Sequence, residues 1–225
     1  MELTKENTLQ LRKIFAESSH EEAKRKIDKF EEIMTYYRCA ILEVETKLRV
    51  LNEQFSLENE RNPIENIKSR VKSLSSIMEK LDRKDLEFNV SVLTEDLKDI
   101  AGVRVICSFV DDIYMIAECL GKQDDINVIE VKDYIKNPKG NGYRSLHMII
   151  EIPIFLQQGK QTMKVEIQLR TIAMEFWANL EHKLRYKKNL SEELEKKTSD
   201  ELRICAETSA ELDRKMQNIK NIINE

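Results

Sequence analysis

The chain has 225 residues, with 5 Gly and 3 Pro, where average usage of about 7 % Gly and 5 % Pro would give roughly 27. That shortage excludes collagen-like and linker-rich chains and argues against a turn-rich all-β sandwich or barrel, and 41 % apolar residues exclude general disorder. The net charge of −4 argues against general nucleic-acid binding, although residues 61–84 hold seven Lys/Arg against three acids, a local positive block suited to a polyphosphate.

Read along the chain, no apolar run reaches the roughly 20 residues of a membrane span, and no signal peptide is visible behind Met1-Glu2-Leu3-Thr4-Lys5-Glu6. The expected location is cytoplasmic, without a membrane partner. The four Cys (39, 107, 119, 205) form no CxxC pair and read as reduced thiols. Ile27, Phe30, Met34, Tyr37, Ile41, Val44, Leu48, Leu51 and Phe55 follow a 3/4 spacing, which predicts one long helix with an apolar seam. Asn62-Pro63 breaks it, and a second helical segment is expected over about 63–84.

From residue 101 the period changes. Val103-Arg104-Val105-Ile106-Cys107 reads as a buried strand. A helix over about 111–121 is expected to end at Gly121, followed by a strand over 127–134. A strand over 145–152 is expected to stop before Pro153. In the strand 163–170, Val165, Ile167 and Leu169 face one way and Glu166, Gln168 and Arg170 the other. A helix starts near Thr171, and a last apolar seam runs from Leu202 through Cys205, Ser209, Leu212, Met216 and Ile219 to Ile223. The layout is α+β: a central mixed sheet with helices before, within and after it, one domain overall. Residues 1–60 form an N-terminal helical segment, 61–190 the core and 191–225 a C-terminal helix. Both seams lie outside the expected sheet. They suit packing on their own domain or self-association, with a lean to the second.

Two acids stand on strands, Asp99 before Ala101-Gly102 and Glu166 on a polar strand face. Such a pair suits Mg²⁺, which takes oxygen ligands and shares them with phosphates; a lone acid at a strand end is otherwise a solvated residue. Three of the eight Gly and Pro residues fall in Pro138-Lys139-Gly140-Asn141-Gly142. No GxxxxGK[ST] P-loop is present. The glycines permit close backbone approach to a ligand, Lys136, Lys139 and Arg144 add charge, and Tyr143 offers a stacking face, with His147 four residues on. A hairpin turn with solvating charges fits the same residues. Arg170 and Glu181–Lys188 add a basic edge that also reads as a solvated face.

Four segments together carry a resemblance. Lys72–Lys84, Asp99-Ile100-Ala101-Gly102-Val103-Arg104, Lys139–His147 and Val165–Thr171 occur in the order and at the separations of the synthetase domain of the RelA/SpoT homologues, over about residues 20–190. The size is similar to that of the small alarmone synthetases. The resemblance implies a nucleotidyltransferase-like synthetase fold with about five strands. It also implies transfer of pyrophosphate from ATP to the 3′-OH of GTP or GDP, giving pppGpp or ppGpp and AMP in the stringent response. Asp99 and Glu166 would hold Mg²⁺, with Glu166 also the base. Arg70 and Arg104 would stack on adenine, and Lys72, Ser76, Lys80 and Arg83 would complete the ATP site. Tyr143 would stack on guanine, with Lys136, Lys139, Arg144, His147 and Gln168 around the acceptor. The implied partners are ATP, GTP or GDP and copies of the same chain in a homotetramer joined through terminal helices. An allosteric alarmone or RNA is a further partner the family allows. Three His (20, 147, 182) without a His-Asp pair predict synthesis without hydrolysis. The family commonly has Pro where this chain has Leu74, which predicts a looser turn there. Another Mg²⁺-dependent nucleotidyltransferase, or a non-catalytic nucleotide- or RNA-binding module, would use the same residues differently.

Overall fold

The computed structural model describes residues 19–59, 61–185 and 191–224; Tyr186, Lys187 and Lys188 of the basic edge lie outside them. In chain order the elements are α1 (His20–Asn59), β1 (Ile64–Val71), α2 (Leu74–Lys84), α3 (Val90–Glu95), β2 (Ala101–Cys107), α4 (Val110–Gly121), β3 (Asn127–Asp133), β4 (Leu146–Leu156), β5 (Gly159–Thr171), α5 (Ile172–Arg185) and α6 (Glu192–Ile223). The five strands form one sheet in the order β1-β2-β5-β4-β3. Only β2 and β5 run parallel; the other neighbours are antiparallel. The α+β class, the mixed sheet and its five strands are as expected.

Alternation divides the sheet into two unlike faces. Val103, Val105, Val165, Ile167, Leu169, Met148 and Ile150 are buried and belong to one core with α1 and α4. The α1 seam is consumed there: Ile27, Phe30, Tyr37, Ile41, Val44, Leu48, Leu51 and Phe55 are all buried against the chain's own sheet. That removes the N-terminal seam as an argument for self-association. The opposite face carries Arg70, Arg104, Glu166, Gln168 and His147. In register, Lys68 pairs Arg104, Arg104 pairs Gln168 and Gln168 pairs His147, while Arg70 pairs Gly102 and Gly102 pairs Glu166. Paired residues point the same way, so the functional candidates form two adjacent rows across four strands.

Two element assignments are corrected. The expected helix over 63–84 is a strand to Val71 followed by an 11-residue helix from Leu74. The helical register of Ile67, Val71 and Leu74 spans two elements: Ile67 and Val71 lie four apart on one face of β1, which a period of two also allows, and Leu74 opens α2. The expected end before Pro153 also fails, since β4 runs on to Leu156, with Pro153 opposite Thr162. The pairing of β3 with β4 ends at Asn127–Glu151, so beyond it β4 is an edge and the missing N–H of Pro153 removes no ladder bond.

The Leu74 turn is ordered rather than loose. Ser73 caps α2, its Oγ accepting from Ser76 N at 3.3 Å, and Leu74 occupies the first helical position, where Pro is also favoured. Leu74 is buried, so it adds core contact where Pro would add rigidity. The preceding Lys72 N–H donates to Ile100 O at 2.8 Å, tying the turn to the start of β2.

The C-terminal helix α6 docks through its small and polar side. Ala206 and Ala210 are buried, Ser209 Oγ donates to Ala173 O at 3.1 Å, and Trp177 Nε1 donates to Leu202 O at 2.8 Å. At its far end Lys220 meets Asp111 at 2.6 Å, beside the buried Asp112 that Arg61 holds at 2.9 and 2.5 Å. Beyond Ser209 the apolar seam of α6 points outward instead: Leu212, Met216, Ile219 and Ile223 are exposed. In the middle, Thr171 Oγ1 donates to Asp213 Oδ2 at 2.7 Å. Burial pushes the Asp213 carboxyl up, and Thr171 and Arg144 offset this only partly. The folded state therefore binds this proton more tightly than the unfolded chain, so Asp213 opposes folding at neutral pH and the opposition fades as pH falls. Asp213→Asn keeps an acceptor for Thr171 and is expected to raise the thermal midpoint at pH 7 by about 1–2 °C. The gain should vanish below about pH 3, where both states carry the proton. A lower midpoint at pH 7 would contradict this sign.

Candidate active site

On the uncovered sheet face, Lys68, Arg70, Asp99, Arg104, Glu166 and Gln168 line a single cavity. β1 contributes Lys68 and Arg70, β2 contributes Arg104, and β5 contributes Glu166 and Gln168. Gly102 sits in the row between Arg70 and Glu166, and without a Cβ it leaves the space between a cation and an acid open.

Asp99 precedes β2 and is met by Lys72 from the link between β1 and α2 and by Lys80 from α2. Lys72 Nζ and Lys80 Nζ approach Asp99 Oδ2 at 2.7 and 2.6 Å. Burial pushes the Asp99 carboxyl up, but the hydrogen bonds of the two lysines outweigh it and hold the group below the ordinary carboxylate range. Its other oxygen, Oδ1, is buried with no hydrogen-bond partner. Glu166 behaves similarly. Burial pushes it up, His147 and Gln168 more than offset that, and the neighbouring charge of Asp99 opposes them, so its carboxyl is held low. Gln168 Nε2 donates to Glu166 Oε2 at 2.8 Å, and His147 Nδ1 lies 3.5 Å from Glu166 Oε1.

The loop between β3 and β4 brings the remaining acceptor candidates. Gly142 N donates to Lys139 O at 2.8 Å and Lys139 N to Tyr143 O at 3.2 Å, closing a tight turn. Gly142 has φ +89°, and a Cβ there would stand 2.5 Å from Ala206 Cβ, so the loop lies directly on α6. Tyr143 packs against the cluster of Trp177, Ala178 and Ala206, as does Leu202. Its hydroxyl receives Arg170 Nη2 at 2.7 Å and Ser145 Oγ at 3.0 Å, and lies 2.8 Å from His147 Nε2. Lys139 Nζ stands 4.7 Å from the Tyr134 ring centre and 5.0 Å from that of Tyr143.

The structure thus brings together Arg70, Lys72, Lys80, Asp99, Arg104, Tyr143, His147, Glu166 and Gln168. Ser76 lies in the first turn of α2, half-buried. Arg83 is exposed near the end of α2, its Nε donating to Glu79 O at 3.2 Å. Lys136 is turned to Asp133 and the Tyr114 ring, at 3.7 and 5.1 Å. The charged neighbours of Arg144 are Arg214, Asp213 and Glu207, all on α6. Lys68 and Glu175 carry no motif signal, and they enter only because the sheet register and α5 place them beside Arg104.

Two carboxylates at one cavity, one with an unpartnered buried oxygen, fit a divalent cation that keeps waters and shares phosphate oxygens. No cluster of three or more His, Cys, Asp or Glu among the described residues offers a fuller metal cage. Cations from three elements around that acid pair suit a phosphorylated ligand.

Residues 69–191 match the profile described as the region found in RelA / SpoT proteins, and the chain belongs to that family. Among its relatives is GTP pyrophosphokinase YwaC of Bacillus subtilis (strain 168), 47 % identical over 188 residues, which are 84 % of this chain and 89 % of that protein. The fold matches the crystal structure of small alarmone synthetase 2 from Bacillus subtilis with a TM-score of 0.75 and 44 % identity, covering 85 % of this chain and 98 % of the other. Small alarmone synthetase 1 from the same organism, bound to its product pppGpp, matches with a TM-score of 0.78 and 35 % identity, over 88 % and 100 % of the two chains.

Proposed function

We infer that this chain is a GTP pyrophosphokinase. It transfers the β,γ-pyrophosphoryl group of ATP to the 3′-OH of GTP or GDP, making pppGpp or ppGpp and AMP. The observation that carries the reading is the acid pair, Asp99 and Glu166, at one cavity lined by Arg70 and Arg104, with Lys72 and Lys80 paired to Asp99. Relatives similar over nearly their whole length, one named GTP pyrophosphokinase and one bound to pppGpp, support it.

The roles divide by position. Arg70 and Arg104 present planar guanidiniums to adenine, and Lys72, Lys80 and Arg83 neutralise phosphate charge, with Ser76 beside them. Tyr143 stacks on guanine, with Lys139 beside its ring and His147 and Gln168 around the acceptor; Lys136 and Arg144 are assigned to that side by the family resemblance alone, since Lys136 is turned to Asp133 and Arg144 to α6. Glu166 accepts the 3′-OH proton as the oxygen forms a bond to the β-phosphorus; the bond from that phosphorus to the α,β-bridging oxygen breaks, and AMP leaves with that oxygen. A divalent cation, Mg²⁺ in this reading, would be held by Asp99 and Glu166 and would supply charge stabilisation to the phosphates. The protein's own contribution is positioning and fixed charge, which suffices for this chemistry.

Residues 61–190 form the catalytic core in this reading. The outward seam of α6 supports pairing with another copy, and the family resemblance extends this to a tetramer. A 26.5 kDa particle by light scattering at micromolar concentration would refute self-association.

Nucleotide chromatography after incubation with ATP, GDP or GTP and Mg²⁺ tests the function. The expected products are AMP and a more highly phosphorylated guanine nucleotide in equal amounts, with formation abolished by a chelator and restored by Mg²⁺. Release of pyrophosphate would instead indicate nucleotidyl transfer. Salt-dependent RNA binding without turnover would indicate a binding module.

A further inference from the structure

Glu175 is the most heavily engaged carboxylate of the ligand face, and no role in the reaction accounts for it. It lies in the first turn of α5 and is 7 % exposed. Its Oε1 receives Arg104 Nη1 at 3.1 Å, Asn179 Nδ2 at 3.0 Å and Lys68 Nζ at 3.4 Å, and its Oε2 receives Arg170 Nη1 at 2.7 Å. Three cations thus converge on one buried anion. Among the described residues, the ion pairs of Arg104 and Arg170 both go to Glu175, and each guanidinium keeps a buried Nε–H without a partner. Without this carboxylate the three cations would repel one another and the two guanidiniums would lose their fixed orientation.

The two arginines lead to opposite halves of the site. Arg104 lines the cavity with Arg70 and Asp99, on the ATP side. Arg170 leads to the acceptor side through a closed ring. Its Nη2 donates to Tyr143 Oη at 2.7 Å and to Gln168 Oε1 at 3.2 Å; Gln168 donates to Glu166, and Glu166 and Tyr143 both meet His147. Arg170 is 4 % exposed, so this ring is anchored from beneath.

We propose that Glu175 is a positioning residue that couples the two nucleotide sites, holding Arg104 for ATP and, through Arg170, the Tyr143–His147–Glu166–Gln168 ring for the guanine nucleotide. The inference rests on the pyrophosphokinase reading and goes beyond it by assigning the link between its halves. Nucleotide bound on either side fixes one arginine against Glu175 and so lowers the ordering cost for the other side. That produces cooperative binding, and the coupling is reciprocal.

The test measures GDP affinity by calorimetry with and without AMPCPP, a non-hydrolysable ATP analogue, alongside steady-state turnover. In the wild type AMPCPP is expected to tighten GDP binding by about fivefold or more, a typical coupling. Glu175→Gln is nearly isosteric and should abolish that tightening, with a fall in kcat of about 10- to 100-fold at saturating nucleotides. Glu175→Asp keeps the charge with a shorter reach and should restore part of both; it carries the same measurement where Glu175→Gln does not fold. A residue of structural weight alone would lower the thermal midpoint and the active fraction but leave coupling in the folded fraction intact, and that result overturns the proposal. So does a wild type without coupling, or a Glu175→Gln kcat within about twofold of wild type. A wild type that forms no AMP at all fails the pyrophosphokinase reading itself, whereas normal wild-type synthesis with an unperturbed variant fails only this inference.

Discussion

Glu166→Gln is expected to reduce AMP formation by about 10³-fold or more, with the fold intact. General-base assistance alone contributes roughly 10²- to 10⁴-fold in enzymes of this kind, and the same substitution removes half of the acid pair. The neighbourhood argues that the loss is chemical rather than structural. Glu166 lies on β5, which is paired on both sides, to Gly102 of β2 and Ile149 of β4. Its side chain is only partly buried, and Gln has the same shape and keeps an acceptor for Gln168. Burial opposes the charge of Glu166, and His147 and Gln168 hold it ionised against that opposition. The site therefore maintains a charged base at neutral pH, the state a proton acceptor requires. The check is AMP release under saturating nucleotides, paired with a thermal melt. Turnover near wild type would remove Glu166 from the mechanism.

Gly142→Ala should damage the acceptor half selectively. At φ +89° an L side chain is strained by about 1 kcal/mol. The new Cβ would also stand 2.5 Å from Ala206 Cβ, on a helix whose backbone has little room to give. Such overpacking costs about 1–3 kcal/mol. Either the loop lifts off α6 or α6 shifts, and both move Tyr143, which packs against the cluster of Trp177, Ala178 and Ala206. The expected outcome is a KM for GDP or GTP raised by about tenfold or more, with a smaller change in the KM for ATP, because Asp99, Lys72 and Lys80 lie on other elements. Ala206→Gly removes the clash but leaves the backbone strain, so the double variant should recover part of the loss in a mutant cycle. Equal damage to both KM values would show that the loop does not serve the acceptor side alone.

Much of this architecture is legible from residue order, and its failures have local causes. The α1 seam from Ile27 to Phe55 shows the helix because a sheet-covering helix repeats its apolar residues at 3/4 spacing. The alternation of Val165, Ile167 and Leu169 with Glu166 and Gln168 shows both β5 and its functional face. β1 is hidden because Ile67 and Val71 lie four apart, a spacing that a strand and a helix share, and Leu74 of the following helix continues it. The α6 seam is visible, but its direction is not. What docks the helix is Ala206 under Gly142, Asp213 at Thr171 and Lys220 at Asp111, and these tertiary pairings leave the apolar seam outside. Glu175 shows the same limit for the site: its partners Lys68, Arg104 and Arg170 come from three strands, and only the folded register brings them to one carboxylate.

The family assignment and the site geometry meet in one claim, that a pyrophosphoryl group moves as a unit from ATP to a guanine nucleotide. Isotope tracing reads it most directly. ATP labelled at the α- or at the γ-phosphorus is incubated with the protein, GDP and Mg²⁺, and the products are separated. The γ label is expected in the guanine nucleotide and the α label in AMP, in equal amounts. An α label carried into the guanine nucleotide, or a γ label released as free phosphate or pyrophosphate, would contradict it.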